Sequence, residues 1–216
     1  MRIGGIQKTT FLDYPDKMAC VIFTVGCNMR CPFCHNRELA LGTSPADAKA
    51  MAGEEVFEFL KNRKKILEGV VISGGEPTLQ PDLFDFIKKI KEMGYLVKLD
   101  TNGSNSGILK GLIDKKMIDF VAMDIKADWD NYDKATGIKA NLREIRKSIM
   151  IIEKSGIDYQ FRSTIVRGIH DRRMVEKMKR EFPDLVLQKF RPNNCLDPKF
   201  LKVKEWDDEE WEKMLE

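Results

Sequence analysis

The sequence predicts an α/β protein built on a parallel β-sheet, and three observations carry that prediction. Six short β-rich runs alternate along the chain with segments whose apolar residues fall at helical spacing. No internal repeat and no Pro/Gly/Ser-rich linker divides the 216 residues, a length that suits one globular unit. Each β-rich run is followed directly by polar or metal-binding residues, as happens where chemistry gathers at the carboxyl ends of parallel strands.

The first run covers residues 19–24, with Cys20 alternating inside it as a core residue, and it leads to three closely spaced cysteines. A helix is expected over 54–65. The second run, 70–73, is followed by Gly74-Gly75-Glu76-Pro77. Leu83, Phe86, Ile87, Ile90 and Met93 then form a helical stripe that Gly94 ends. The third run, 96–100, opens into Asp100-Thr101-Asn102-Gly103, and a helix is expected over 107–116. The fourth, 120–124, ends in Asp124-Ile125-Lys126. Leu142, Ile145, Ile149 and Ile152 make a second stripe, closed by Gly156. The fifth run, 159–166, carries Arg162 and Thr164. Val175, Met178 and Phe182 mark a third helix that Pro183 stops. The sixth run, 185–190, leads into Arg191-Pro192-Asn193-Asn194.

Strands and helices in this order satisfy right-handed βαβ units. One site assembled from all six strand ends is the economical reading. The core then spans about 19–194 of a single domain, with 1–18 as an N-terminal extension and 195–216 as a tail. Trp206, Trp211 and Met214 in that tail suggest a short helix packed on the core, or a partner surface.

Composition narrows the function classes. Apolar residues make up 43% and charged residues 33%, an ordinary soluble balance. The formal charge of +3 is too small to indicate nucleic acid or an anionic membrane as partner. No apolar run approaches the roughly 18–20 residues of a membrane span. The first residues lack the layout of a signal peptide, so a cytoplasmic protein is expected. The two histidines lie away from any nucleophile pattern, which leaves no constellation for acyl transfer or metal-dependent hydrolysis. His170, within Gly168-Ile169-His170-Asp171, reads as a turn or capping residue.

Five cysteines is an odd number, and three of them fall within eight residues. A secreted disulfide framework spreads even numbers over the chain, whereas crowded thiols point to metal. Cys27, Cys31 and Cys34 have the spacing C-x3-C-x2-C. A single tetrahedral zinc needs a fourth ligand, and His35, adjacent to Cys34, is poorly placed to supply it. An iron–sulfur cubane needs one thiolate per iron, so three cysteines leave one iron open to a substrate or cofactor. A zinc knuckle completed by a distant residue is the alternative. Cys195 stands in a Pro/Asn loop without partner spacing and reads as an ordinary loop cysteine.

The cysteine triplet after the first strand, with Phe33 before its third member, resembles the radical S-adenosylmethionine superfamily. Gly74-Gly75-Glu76-Pro77 after the second strand is similar to that family's second motif. Asp13-Tyr14-Pro15, Phe23-Thr24-Val25-Gly26-Cys27 and Cys34-His35-Asn36 resemble the glycyl-radical-enzyme activases more closely, specifically activators of anaerobic ribonucleoside-triphosphate reductase.

The resemblance implies a partial parallel (β/α)6 TIM-like barrel. It also implies one 4Fe-4S cluster on Cys27, Cys31 and Cys34. At its open iron S-adenosylmethionine is cleaved reductively to a 5′-deoxyadenosyl radical, which abstracts a hydrogen atom from a glycine of a partner enzyme. Gly74 and Gly75 would let the backbone approach the methionine moiety, and Glu76 would help to receive its ammonium group. Lys126 would meet the carboxylate as a point charge. Asp100 and Asp124 would address the ammonium or ribose, or share a monovalent cation with that carboxylate. Arg162 matches the arginine-bearing fifth strand of activases, and Phe33 would pack against adenine. Some activases present a histidine after the sixth strand, where this chain has Arg191, Asn193 and Asn194, and that leaves cofactor contact there in doubt. Between Cys34 and Gly74 there is no cysteine for a second cluster, so the electron is expected from an external donor such as a flavodoxin or ferredoxin. The other readings are a radical enzyme acting on a peptide or small metabolite, and a non-catalytic zinc or cluster-binding module.

Overall fold

The computed structural model describes residues 1–43 and 53–215. Seven strands form one sheet in sequential order: β1 (Ile3–Thr10), β2 (Ala19–Thr24), β3 (Gly69–Gly74), β4 (Leu96–Thr101), β5 (Phe120–Asp124), β6 (Asp158–Ile165) and β7 (Val186–Lys189). From β2 to β7 every neighbouring pair is parallel. Right-handed crossovers between sequential parallel strands carry the helices onto one face. The sheet curls around its other face as a partial TIM-like barrel. The helices are α1 (Arg37–Leu41), α2 (Gly53–Arg63), α3 (Leu83–Glu92), α4 (Ser106–Asp114), α5 (Tyr132–Thr136), α6 (Leu142–Ser155), α7 (Arg172–Glu181) and α8 (Asp208–Leu215).

Strand alternation separates two cores. Val70, Ile72, Val97, Leu99, Val121 and Met123 share one buried cluster with Leu60, Ile87, Ile90, Leu109 and Ile145 of the helices. Cys20 lies in it too, fully buried, as its alternation predicts. The intervening residues face inward: Ala19, Val21 and Val71 pack with Tyr14, and Phe23, Leu96 and Phe120 join them. That inner cluster is apolar toward the amino ends of the strands. Further along the same faces the side chains become Lys98, Asp100, Asp124 and Arg162, and the floor gives way to a polar rim.

Two differences from the sequence reading concern chain that carries weak patterns. The segment read as an extension forms β1, antiparallel to β2, with register shifts between Ile3 and Gly5 and between Gln7 and Thr10. Its only buried residues are Ile3 and Thr10, so no run of alternation advertises it. α1 and α5 have five residues each, too short to set up a helical stripe. The tail does form a helix. Trp211 and Met214 of α8 pack on Ile165 and Val175, and Trp206 Nε1 donates to the Ile165 carbonyl at 2.9 Å.

α5 matters because it holds the cysteine loop. The Thr136 carbonyl accepts from Arg30 N at 2.8 Å, and Gly137 caps the helix with φ +66°. A Cβ on Gly137 would stand 2.2 Å from the Arg30 carbonyl oxygen. Gly137→Ala therefore meets both a left-handed backbone and a backbone clash. Its urea unfolding should show a loss above the roughly 1–2 kcal/mol that the left-handed conformation alone costs a side-chain-bearing residue.

Candidate active site

The carboxyl ends of β2 to β7 surround a cavity of about 270 Å³, and Cys27, Cys31 and Cys34 all line it. The cysteine loop leaves β2 at Thr24 and has little regular structure, so other elements hold it. Arg30 turns back to donate to the Cys27 carbonyl at 2.6 Å. Asp197 N donates to the Pro32 carbonyl at 2.8 Å, and Asn36 Nδ2 reaches the Gly74 carbonyl at 3.3 Å. His35 is stacked on Phe190 with its Nε2 2.6 Å from the Arg191 carbonyl, and Asn194 Nδ2 donates to the His35 carbonyl at 3.1 Å. The loop after β7 thus braces the cysteine loop from outside. Phe33 is buried with its ring edge-on to Phe190.

Among the described residues, no three His, Cys, Asp or Glu side chains are grouped closely enough to hold a single metal ion. Three thiols on one cavity wall do suit a polynuclear cluster, in which each sulfur serves its own iron. Burial pushes all three thiols up in pKa, Cys31 to about 11, while Lys126 pulls each of them back.

The β3 loop lies hard against the cysteine loop. Gly75 N donates to the Thr24 carbonyl and Glu76 N to the Gly26 carbonyl, at 2.9 and 2.8 Å. A Cβ on Gly75 would come within 2.1 Å of the Gly26 oxygen, so any side chain there would push the two loops apart. Glu76 is wholly buried, and its carboxylate is held within the protein. Oε1 accepts from Thr78 N, Thr78 Oγ1 and Thr101 Oγ1 at 3.1, 2.6 and 2.8 Å, and Oε2 from Asn102 N at 2.7 Å. Burial raises the Glu76 pKa and these four donors oppose the rise. The residue is a strut between the loops after β3 and β4.

The remaining predicted residues form one interleaved row. Asp100 accepts from Arg162 Nη2 at 3.1 Å and from Ser73 Oγ at 3.0 Å, and it pairs with Lys98. Asp124 accepts from Arg162 Nε at 2.6 Å and from Lys126 Nζ at 2.8 Å. Against the opposing effect of burial, Arg162 and Lys126 hold the Asp124 carboxyl well below the usual range. Lys98 escapes sequence reasoning because a lysine inside a strand looks like a solvated face, yet it is 2% exposed. The available signal is its spacing: two residues before Asp100, it must share the inner face.

A model of the radical SAM superfamily matches residues 21–180. A Methanocaldococcus jannaschii protein, provisionally named a glycyl-radical enzyme activating enzyme, is 34% identical over 93% of this chain and 85% of its own length. The pyruvate formate-lyase-activating enzyme of Clostridium pasteurianum is 32% identical over 79% of this chain and 71% of its own. Among solved structures, Streptococcus suis SuiB bound to S-adenosylmethionine superposes with a TM-score of 0.66 at 17% identity, covering 90% of this chain and 45% of SuiB. TYW1 with a lysine-pyruvate adduct superposes with a TM-score of 0.61 at 19% identity, over 91% of this chain and 71% of that one. At such identities the two structures speak for the fold alone.

Glu76→Gln tests the strut. The amide nitrogen would face Asn102 N, another donor, and one buried N–H would lose its acceptor. The variant should unfold with a loss on the order of 1–3 kcal/mol in a urea titration. Thr78→Val, which keeps the carboxylate and removes one donor, should cost less.

Proposed function

The chain belongs to the radical SAM superfamily, and on that premise we propose that it activates a glycyl radical enzyme, using a 4Fe-4S cluster and S-adenosylmethionine. The observation that carries the reading is the convergence of three thiols with a row of fixed charges on one cavity, where the row includes Lys126 and Arg162. The donor set fits the cluster: three soft sulfurs on one loop, with no carboxylate or imidazole among them. In this reading Cys27, Cys31 and Cys34 hold the cluster, and bound together with S-adenosylmethionine it supplies reductive carbon–sulfur cleavage and hydrogen-atom abstraction.

The chain's own residues bind and orient. Lys126 presents its ammonium to the methionine carboxylate, and Arg162, clamped by Asp100 and Asp124, adds a second fixed cation to the same wall. Gly74 and Gly75 bring main-chain groups up to the cofactor. Glu76 keeps one unbridged lone pair on Oε2, so its share in receiving an ammonium is secondary to its work as a strut. Phe33 offers an apolar wall to adenine. The absence of cysteine between Cys34 and Gly74 supports a single cluster served by an external flavodoxin or ferredoxin.

The partner is a glycyl radical enzyme, and anaerobic ribonucleoside-triphosphate reductase is the candidate that the sequence motifs favour. The Clostridium relative is named for pyruvate formate-lyase, so both belong in the test. Reduced protein, S-adenosylmethionine and each candidate should be mixed without oxygen and examined by EPR for a glycyl radical doublet. Rapid cofactor cleavage without a protein radical on either candidate would overturn activation and favour a peptide or small-metabolite substrate.

Anaerobically purified protein should be brown, with about four irons per chain. Cys31→Ala should lose both colour and iron while its far-UV circular dichroism stays unchanged. A colourless protein carrying zinc and no iron would mean a structural metal module instead.

A further inference from the structure

His170 is 4% exposed and has no part in the mechanism above, yet both of its ring nitrogens are engaged. Val166 N donates to Nδ1 at 3.1 Å, so Nδ1 carries no proton. Nε2 therefore bears the proton, and it donates to the Lys126 carbonyl at 2.9 Å. Burial lowers the pKa of the imidazole and keeps it in this neutral form. The bond to Val166 closes a local turn after β6. The bond to Lys126 crosses 44 residues of sequence and serves no turn.

Lys126 needs such a tether. The last rung of the β5–β6 ladder is Ile125 N to the Arg162 carbonyl at 2.9 Å, and Lys126 is the first residue past it. Its N–H is 3.4 Å from the hydroxyl of the fully buried Tyr132, and its carbonyl goes to His170. Two side chains from different elements thus replace the missing rungs at the point where the chain leaves the sheet. From there the Lys126 ammonium reaches Asp124 at 2.8 Å, on the cavity that the three thiols also line.

We propose that His170 is a positioning residue for Lys126, its Nε2–H fixing the main chain that aims the lysine ammonium at the carboxylate of S-adenosylmethionine. This rests on the assignment of Lys126 to that carboxylate. The two ring nitrogens can be separated by substitution. An asparagine places an acceptor near Nδ1 and keeps the turn, but it is too short to reach Lys126. A glutamine places an amide donor near Nε2 and can restore the bond to the Lys126 carbonyl.

The test compares dissociation constants of S-adenosylmethionine and decarboxylated S-adenosylmethionine for cluster-loaded protein, by anaerobic equilibrium dialysis. Preference for the carboxylated ligand should fall roughly 10-fold in His170→Asn, as expected when a charged contact is misdirected. His170→Gln should recover most of it, and Lys126→Met should lose at least as much. A His170→Asn protein that weakens both ligands equally, or keeps the wild-type preference while Lys126→Met loses it, overturns the proposal. So does a His170→Gln protein that shows no recovery, which also decides the matter if the asparagine variant fails to fold. An unchanged preference in Lys126→Met overturns the carboxylate assignment itself, and this inference falls with it.

Discussion

Arg162 is the side chain on which the rest of the site depends. The parallel register pairs it with Asp124 as a Cα partner, and the same register leaves its guanidinium within reach of Asp100 one strand further on. Two carboxylates on the inner face of a barrel would repel each other and resist ionisation. The planar fork of an arginine bonds both at once, Nε to one and Nη2 to the other. Lys98 and Lys126 then complete the alternation of sign at the two ends. A slip of one residue in β6 would turn Arg162 out into the helix layer and leave the acids uncompensated, so strand register and site electrostatics are one constraint.

The cysteine loop obeys the opposite logic, since it has no ladder of its own. It is shaped from outside by the α5 cap, by Asp197 on the Pro32 carbonyl, by His35 on the β7 loop and by the close approach of Gly75 to Gly26. Apart from the His35 ring, these tethers act on main-chain atoms of the loop, and all three cysteines line the cavity. Family membership implies that a 4Fe-4S cluster and S-adenosylmethionine occupy such a site, and the loop adds a donor of its own there, since Met29 N donates to Cys27 Sγ at 3.4 Å.

Much of this was legible in the sequence for a physical reason. Strands covered on both faces read as nearly continuous apolar runs, as β2, β3 and β5 do, whereas β6 shows the alternation of a half-covered strand, with Phe161, Ser163 and Ile165 buried. Their polar ends mark the rim within the sequence itself. β1 escapes that pattern because its buried residues stand at its two ends, with half-buried and exposed positions between. Glu76 was expected at the cofactor, but a linear motif does not reveal that Thr78, Thr101 and Asn102 surround its carboxylate. Lys98 and the Nε2 contact of His170 were invisible for the same reason, because each depends on where a distant segment arrives. Among the described residues no helix is long and apolar enough to cross a membrane, in line with the absence of long apolar runs.

An open barrel leaves two sheet edges, and each is a template on which another chain could pair. Here β7 has only four residues, and β1 is interrupted by two register irregularities along its eight. A short edge offers few free amides, and a broken one offers them out of step. The irregular register of β1 thereby discourages edge-to-edge self-association, and it does so at the strand that the sequence pattern left least conspicuous.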